Sequence, residues 1–141
     1  MTKLPVTKTG SVTRHPSPVK PPPIGLLGGT FDPIHLGHLR LAEEMVTALG
    51  LTTLRIMPSG TPPHRRAPAA TAGHRREMVA RAIADNPHFV MEASELERSG
   101  PGYMVDTLSV LRLEQVPDTP IILILGVDAF AGLSAWHDWT R

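Results

Sequence analysis

Apolar positions along this chain alternate between two patterns. Short apolar-rich runs occur at Ile24–Leu27, Leu51–Met57, His88–Ala93 and Pro120–Leu125. Such runs suit strands of a parallel sheet covered on both faces. Helical spacing lies between them. From Leu39 to Leu49, Leu39, Leu41, Ala42, Met45, Val46 and Leu49 form one apolar face, opposite Arg40, Glu43, Glu44 and Thr47. Gly50 is placed to end that helix. A second helix is predicted over Ala72–Asp85, with Thr71 as N-cap and Met78, Val79, Ala82 and Ile83 turned inward. A third is predicted over Tyr103–Gln115, with Met104, Val105, Leu108 and Leu111 inward, and a short helical pattern follows Gly126 to about Leu133. Ser94–Gly102 reads as a charged loop.

Strand alternating with helix predicts an α/β fold: a parallel sheet with right-handed crossovers and helices on both faces. Ligands in such sheets bind beyond the carboxyl ends of the strands. Those ends carry residues 28–38, 58–66, 94–103 and 126–139, so every unusual polar stretch falls on one edge.

Composition narrows the class. The 141 residues are 41% hydrophobic but only 4% aromatic, which predicts one domain with an aliphatic core. A net charge of +1 argues against nucleic-acid binding by charge alone. With no cysteine, disulfides and thiolate metal sites are excluded. The longest apolar run, Pro120–Leu125, is too short to span a bilayer, and the N-terminus lacks a signal-peptide core. The expectation is a soluble, cytoplasmic protein without a membrane partner. Residues 1–23 hold six prolines, four Lys or Arg and no Asp or Glu, and are expected to form a disordered basic tail before a domain at 24–141.

The stretch Gly28-Gly29-Thr30-Phe31-Asp32-Pro33-Ile34-His35-Leu36-Gly37-His38 carries the most chemistry. Glycines after a strand let the backbone approach a ligand, and amides at the following helix start favour an anion. A plain tight turn would also use such a pair. Neither GxGxxG nor a Walker lysine is present. His35 and His38, three residues apart at a helix start, share a face beside the turn. Two histidines can begin a zinc site, but no third ligand follows at helical spacing, and Gly37 is not the general base of an HExxH motif.

That stretch resembles the HxGH signature of the nucleotidyltransferase superfamily. Within it the chain is similar to bacterial nicotinate-nucleotide adenylyltransferases. Pro62-Pro63-His64-Arg65, Tyr103–Leu108, and Gly126-x-Asp128 with Trp136-His137-x-Trp139 match in the same order, so the resemblance spans about Ile24 to Arg141. It implies a Rossmann-like domain that transfers the adenylyl group of ATP to nicotinate mononucleotide, with Mg²⁺ arriving on the ATP. It assigns Gly28, Gly29, Thr30, Phe31, His35 and His38 to ATP, with the two histidines catalytic. It assigns His64 and Arg65 to the mononucleotide phosphate, and Tyr103, Asp128 and Trp136 to the rest of the acceptor, Trp136 stacking on the pyridine ring. No residue is assigned to a protein-held metal.

Two departures stand out. Met104 occupies a position where the family usually has threonine, and His137 replaces a more usual aromatic residue. The family's last strand, C-terminal helices and Ser-x-Thr-x-x-Arg phosphate clamp have no counterpart before Arg141. The chain is therefore expected to be an incomplete form of the domain, with Arg66 or Arg75 as weak electrostatic substitutes and the fourth strand an exposed edge open to self-association. Two alternatives remain: transfer to another phosphate acceptor such as phosphopantetheine, and an inactive nucleotide-binding remnant.

Overall fold

Short apolar-rich runs separated by helices build a parallel sheet in the computed structural model, which describes residues 20–60 and 67–141. The elements are β1 (Ile24–Gly29), α1 (Leu36–Leu49), β2 (Thr53–Pro58), α2 (Ala72–Ile83), β3 (Phe89–Met91), α3 (Ser94–Glu97), α4 (Met104–Glu114), β4 (Ile121–Ile124) and α5 (Val127–Ala131), followed by a 3₁₀ turn at Leu133–Ala135. The strand order is β3-β2-β1-β4, and every pairing is parallel. Ile24 lies level with Thr53 on one side and with Ile121 on the other.

Alternation along β1 divides the core between the two faces. Leu27 packs with Ala42 and Val46 of α1, Val79 and Ile83 of α2, and Leu54 and Ile56 of β2. Leu26 faces the other way, onto Met57 and Leu111, with Met104 and Leu108 of α4 against them. β1, at the centre, is thus covered on both sides, as its unbroken apolar run predicts. The chain leaves β1 toward β2 and β3, then returns across the sheet to place β4 on the far side of β1. That reversal opens a crevice beyond the carboxyl ends of β1 and β4.

The helix and strand bounds differ from expectation in informative ways. α1 begins at Leu36 rather than Leu39, because His35 takes the extended N-cap conformation. Leu41 and Leu49 lie on its exposed side, and Ala42 and Val46 carry the buried contact. Gly50 ends the helix at φ 59°, and its N–H donates to the Val46 carbonyl. β2 begins at Thr53 and runs through Pro58. Part of the expected loop at Ser94–Gly102 is a helical turn, α3. Thr71 caps α2 as predicted, its hydroxyl accepting from the His74 amide at 3.2 Å. Among the described residues β4 pairs with β1 alone and forms a sheet edge.

Candidate active site

The glycine turn after β1 is built by close packing. A Cβ at Gly29 would sit 2.9 Å from the ring of Phe31, so the backbone there needs glycine. Phe31 is only 2% exposed and holds a left-handed backbone, φ 47°, which is uncommon for a bulky residue. Asp32, joined to Pro33 by a cis bond, reaches across to the α2 approach. Its carboxylate accepts the amides of Ala69 at 2.6 Å and Ala70 at 2.9 Å.

Arg75 makes a second tie. It is 1% exposed, and one guanidinium nitrogen donates to the carbonyls of Thr30 and Ser59, each at 2.8 Å. Arg75 therefore braces the ends of β1 and β2 against each other. It is not free to stand in as a phosphate clamp, because a side chain engaged this way cannot turn toward a ligand. Arg66, the other suggested substitute, lies outside the described residues.

His35 and His38 meet at the start of α1. Their rings stack with centroids 3.8 Å apart and 27° between planes. The Phe31 ring meets His38 edge-on at 5.0 Å. The His35 amide donates to His38 Nδ1 at 3.3 Å, so neutral His38 carries its proton on Nε2. Burial, then the neighbouring His35, holds the His38 pKa below the usual histidine value. At neutral pH His38 is thus a neutral ring with an N–H donor at Nε2, beside a helix N-terminus, where anions are favoured.

A cavity of about 550 Å³ opens at the sheet crevice. Gly28, Gly29 and Thr30 form one wall, and Tyr103 and Trp136 another. Met57, Met104 and Leu125 supply apolar surface, so the threonine hydroxyl of the resemblance is replaced by a thioether. The structure therefore brings together Gly28, Gly29, Thr30, Tyr103 and Trp136. His35 and His38 do not line this cavity; they form their own pair against Phe31. Asp128 is exposed in the first turn of α5 and also lies outside the lining. His64 and Arg65 fall outside the described residues.

His137, a departure already visible in the sequence, gains a partner here, while Glu95 and two loop ties emerge only in the structure. His137 stacks on Tyr103, centroids 4.2 Å apart and 25° between planes, so the imidazole takes the place expected of an aromatic partner. Glu95 of α3 is buried and lines the cavity. Asp32 and Arg75 tie the loops around it. Only the position of Glu95 at a strand's carboxyl end could have signalled its role. Among the described residues, no group of three His, Asp or Glu side chains is placed to hold a metal ion.

A parallel sheet with a glycine turn, two helix-start histidines and a cavity at its crevice defines a Rossmann-like α/β domain. Residues 26–141 match the cytidylyltransferase-like family, to which the chain belongs. Within that family, it is 53% identical over 117 residues to a Dechloromonas aromatica protein named "Probable nicotinate-nucleotide adenylyltransferase", covering 83% of this chain and 54% of that protein. An Aeromonas hydrophila protein of the same name is 52% identical over 118 residues, covering 84% of this chain and 55% of its own length. The chain thus spans about half the length of these curated relatives. The solved Plasmodium falciparum nicotinic acid mononucleotide adenylyltransferase complexed with NaAD has the same fold, with a TM-score of 0.65 at 18% identity, covering 82% of this chain and 57% of that one.

Proposed function

We propose that this chain carries the site at which the adenylyl group of ATP passes to nicotinate mononucleotide, giving nicotinate adenine dinucleotide and pyrophosphate in NAD biosynthesis. An oxygen of the mononucleotide 5′-phosphate attacks the α-phosphorus of ATP. The bond from that phosphorus to the bridging oxygen of the β-phosphate breaks, and pyrophosphate leaves with its electron pair. The attacking phosphate is already anionic at neutral pH, so no general base is required. Catalysis then rests on alignment and on neutralising charge at the phosphoryl oxygens.

The residues present suit those tasks. His35, His38 and the amides of Gly28, Gly29, Thr30 and Phe31 hold the α-phosphate region of ATP. The neutral Nε2–H of His38 can donate to a phosphoryl oxygen as its charge grows. His64 and Arg65 take the mononucleotide phosphate. The cavity takes the remainder of the acceptor, with Tyr103 and Trp136 offering flat faces to the pyridine ring and Asp128 accepting hydrogen bonds near its rim. Mg²⁺ is expected to travel on the ATP phosphates, which need few protein ligands for it. Among the described residues no helix is long and apolar enough to cross a membrane, and we place the reaction in the cytoplasm.

The observation that carries this reading is the adjacency of the two half-sites along one connection: Thr30 lines the cavity, and Phe31, next in the chain, packs on His38. The test is pyrophosphate release from ATP and Mg²⁺ with each of three acceptors: nicotinate mononucleotide, nicotinamide mononucleotide and phosphopantetheine. Release that depends on nicotinate mononucleotide is expected. Release with phosphopantetheine alone moves the protein to another acceptor, and release with none leaves a nucleotide-binding remnant.

A further inference from the structure

Glu95 is a buried carboxylate that the proposed reaction leaves without a task. It is 9% exposed and lines the acceptor cavity. Its Oε2 accepts the Gly60 amide at 3.2 Å. A Cβ at Gly102 would come within 3.2 Å of the same oxygen, and a Cβ at Gly60 within 3.1 Å of the Glu95 carbonyl. Gly102 therefore leaves room for the Glu95 side chain, and Gly60 for its backbone.

Oε1 accepts no hydrogen bond among the described residues, nor is it one of the sealed orphan atoms, which are Ser59 Oγ, Arg75 Nε and Ser94 Oγ. Arg98, the cation that acts on Glu95, instead reaches toward the Tyr103 carbonyl and the Thr107 hydroxyl, each at 3.4 Å. Oε1 is thus an unpaired acceptor open to the cavity, available to a donor on a bound ligand. The described residues lining the cavity include no lysine or arginine to supply one.

The ligand group that fits is a neutral donor. An anionic group would be repelled by the carboxylate, and a bare ring edge would leave it unsatisfied. The mononucleotide acceptor proposed above carries two ribose hydroxyls. Resting on that reading, we propose that Glu95 is a specificity-determining residue whose Oε1 accepts a ribose hydroxyl of the acceptor.

Burial pushes the Glu95 carboxyl up, against the opposing effects of the Gly60 amide and Arg98. Glu95→Gln removes that costly charge while its amide oxygen can still accept from Gly60, so the variant should melt no lower than the parent. Calorimetry on the full chain would compare nicotinate mononucleotide with its 2′-deoxy and 3′-deoxy analogues. A hydrogen bond to a charged group predicts that one analogue binds the parent about tenfold or more weakly. In Glu95→Gln that penalty should fall to about threefold or less, as two groups that act on each other require. An equal penalty in both proteins overturns the assignment, as does a parent that binds all three ligands alike or none. Pyrophosphate release measured in parallel separates the two ideas. Release with an unchanged penalty sinks the Glu95 assignment alone, whereas a collapsed penalty without release sinks adenylyl transfer and leaves the ribose contact standing.

Discussion

Replacing Arg75 by methionine tests how the two walls of the site are held together. The substitution keeps most of the aliphatic volume of a side chain that is 1% exposed, and deletes its two bonds to the Thr30 and Ser59 carbonyls. A hydrogen bond involving a charged group contributes about 1.5–3 kcal/mol, so the gross loss is about 3–6 kcal/mol. Part of that returns because a guanidinium no longer has to be buried, and because water can reach carbonyls at the mouth of a cavity. The net cost is therefore about 2–4 kcal/mol, or roughly 6–20 °C in Tm for a domain of this size. Circular dichroism melts read the stability, and calorimetric titration with nicotinate mononucleotide reads the site. Affinity should fall more than tenfold even at temperatures where the variant is fully folded, because Thr30 and Ser59 both line the cavity. Arg75→Lys should recover part of both losses by keeping one donor in place. A variant within about 0.5 kcal/mol of the parent, with unchanged affinity, would refute the brace, since changes that small are typical of surface substitutions away from such features.

Further outcomes follow from the same geometry. His38→Ala should lower kcat by about 10²–10³ with little change in KM for the mononucleotide, the cost of losing one donor aimed at developing charge; steady-state kinetics would decide it. His38 also gives the fold an acid limit. Its folded pKa lies below 6.5, so the unfolded chain takes up the proton first. Stability should be full above about that pH and fall as the pH drops through the lower folded value. His38→Gln should flatten this slope in melts taken from neutral to mildly acidic pH. Arg65→Ala should raise KM for the mononucleotide with kcat nearly intact if this arginine holds the phosphate, and a fall in kcat alone would contradict that role. The edge that β4 forms among the described residues predicts that this chain self-associates when expressed by itself; a stable monomer in sedimentation velocity would count against it.

The sheet was legible because its strands are short apolar-rich runs set between helical patterns, with β1 buried on both faces. Leu26 and Leu27, adjacent in sequence, reach different halves of the core, a division the apolar run implies but cannot assign. The start of α1 was misplaced because hydrophobic periodicity marks where a helix packs and not where it caps; Leu36 is helical yet exposed. α3 was missed because a four-residue turn is too short to show any period. In the site, the glycine turn and the two histidines stood out by residue type and spacing. Asp32, Arg75 and Glu95 did not, and His137 stood out only as a departure from the usual aromatic residue. Each acts through a partner that is distant in the chain, Arg75 on Thr30 and Glu95 on Gly60 among them, and local spacing holds no trace of such contacts. Arg75, considered from the sequence only as a weak electrostatic substitute for a phosphate clamp, is instead engaged by the carbonyls at two strand ends.

The central claim is that the glycine turn and the histidine pair direct attack at the α-phosphorus of ATP. The most direct measurement follows ATP labelled at its α-phosphate, with Mg²⁺ and nicotinate mononucleotide, and identifies the labelled product by chromatography and mass. The account predicts label in nicotinate adenine dinucleotide, and its loss in His38→Ala. Label appearing in AMP, or remaining in ATP while the mononucleotide stays bound, would contradict it.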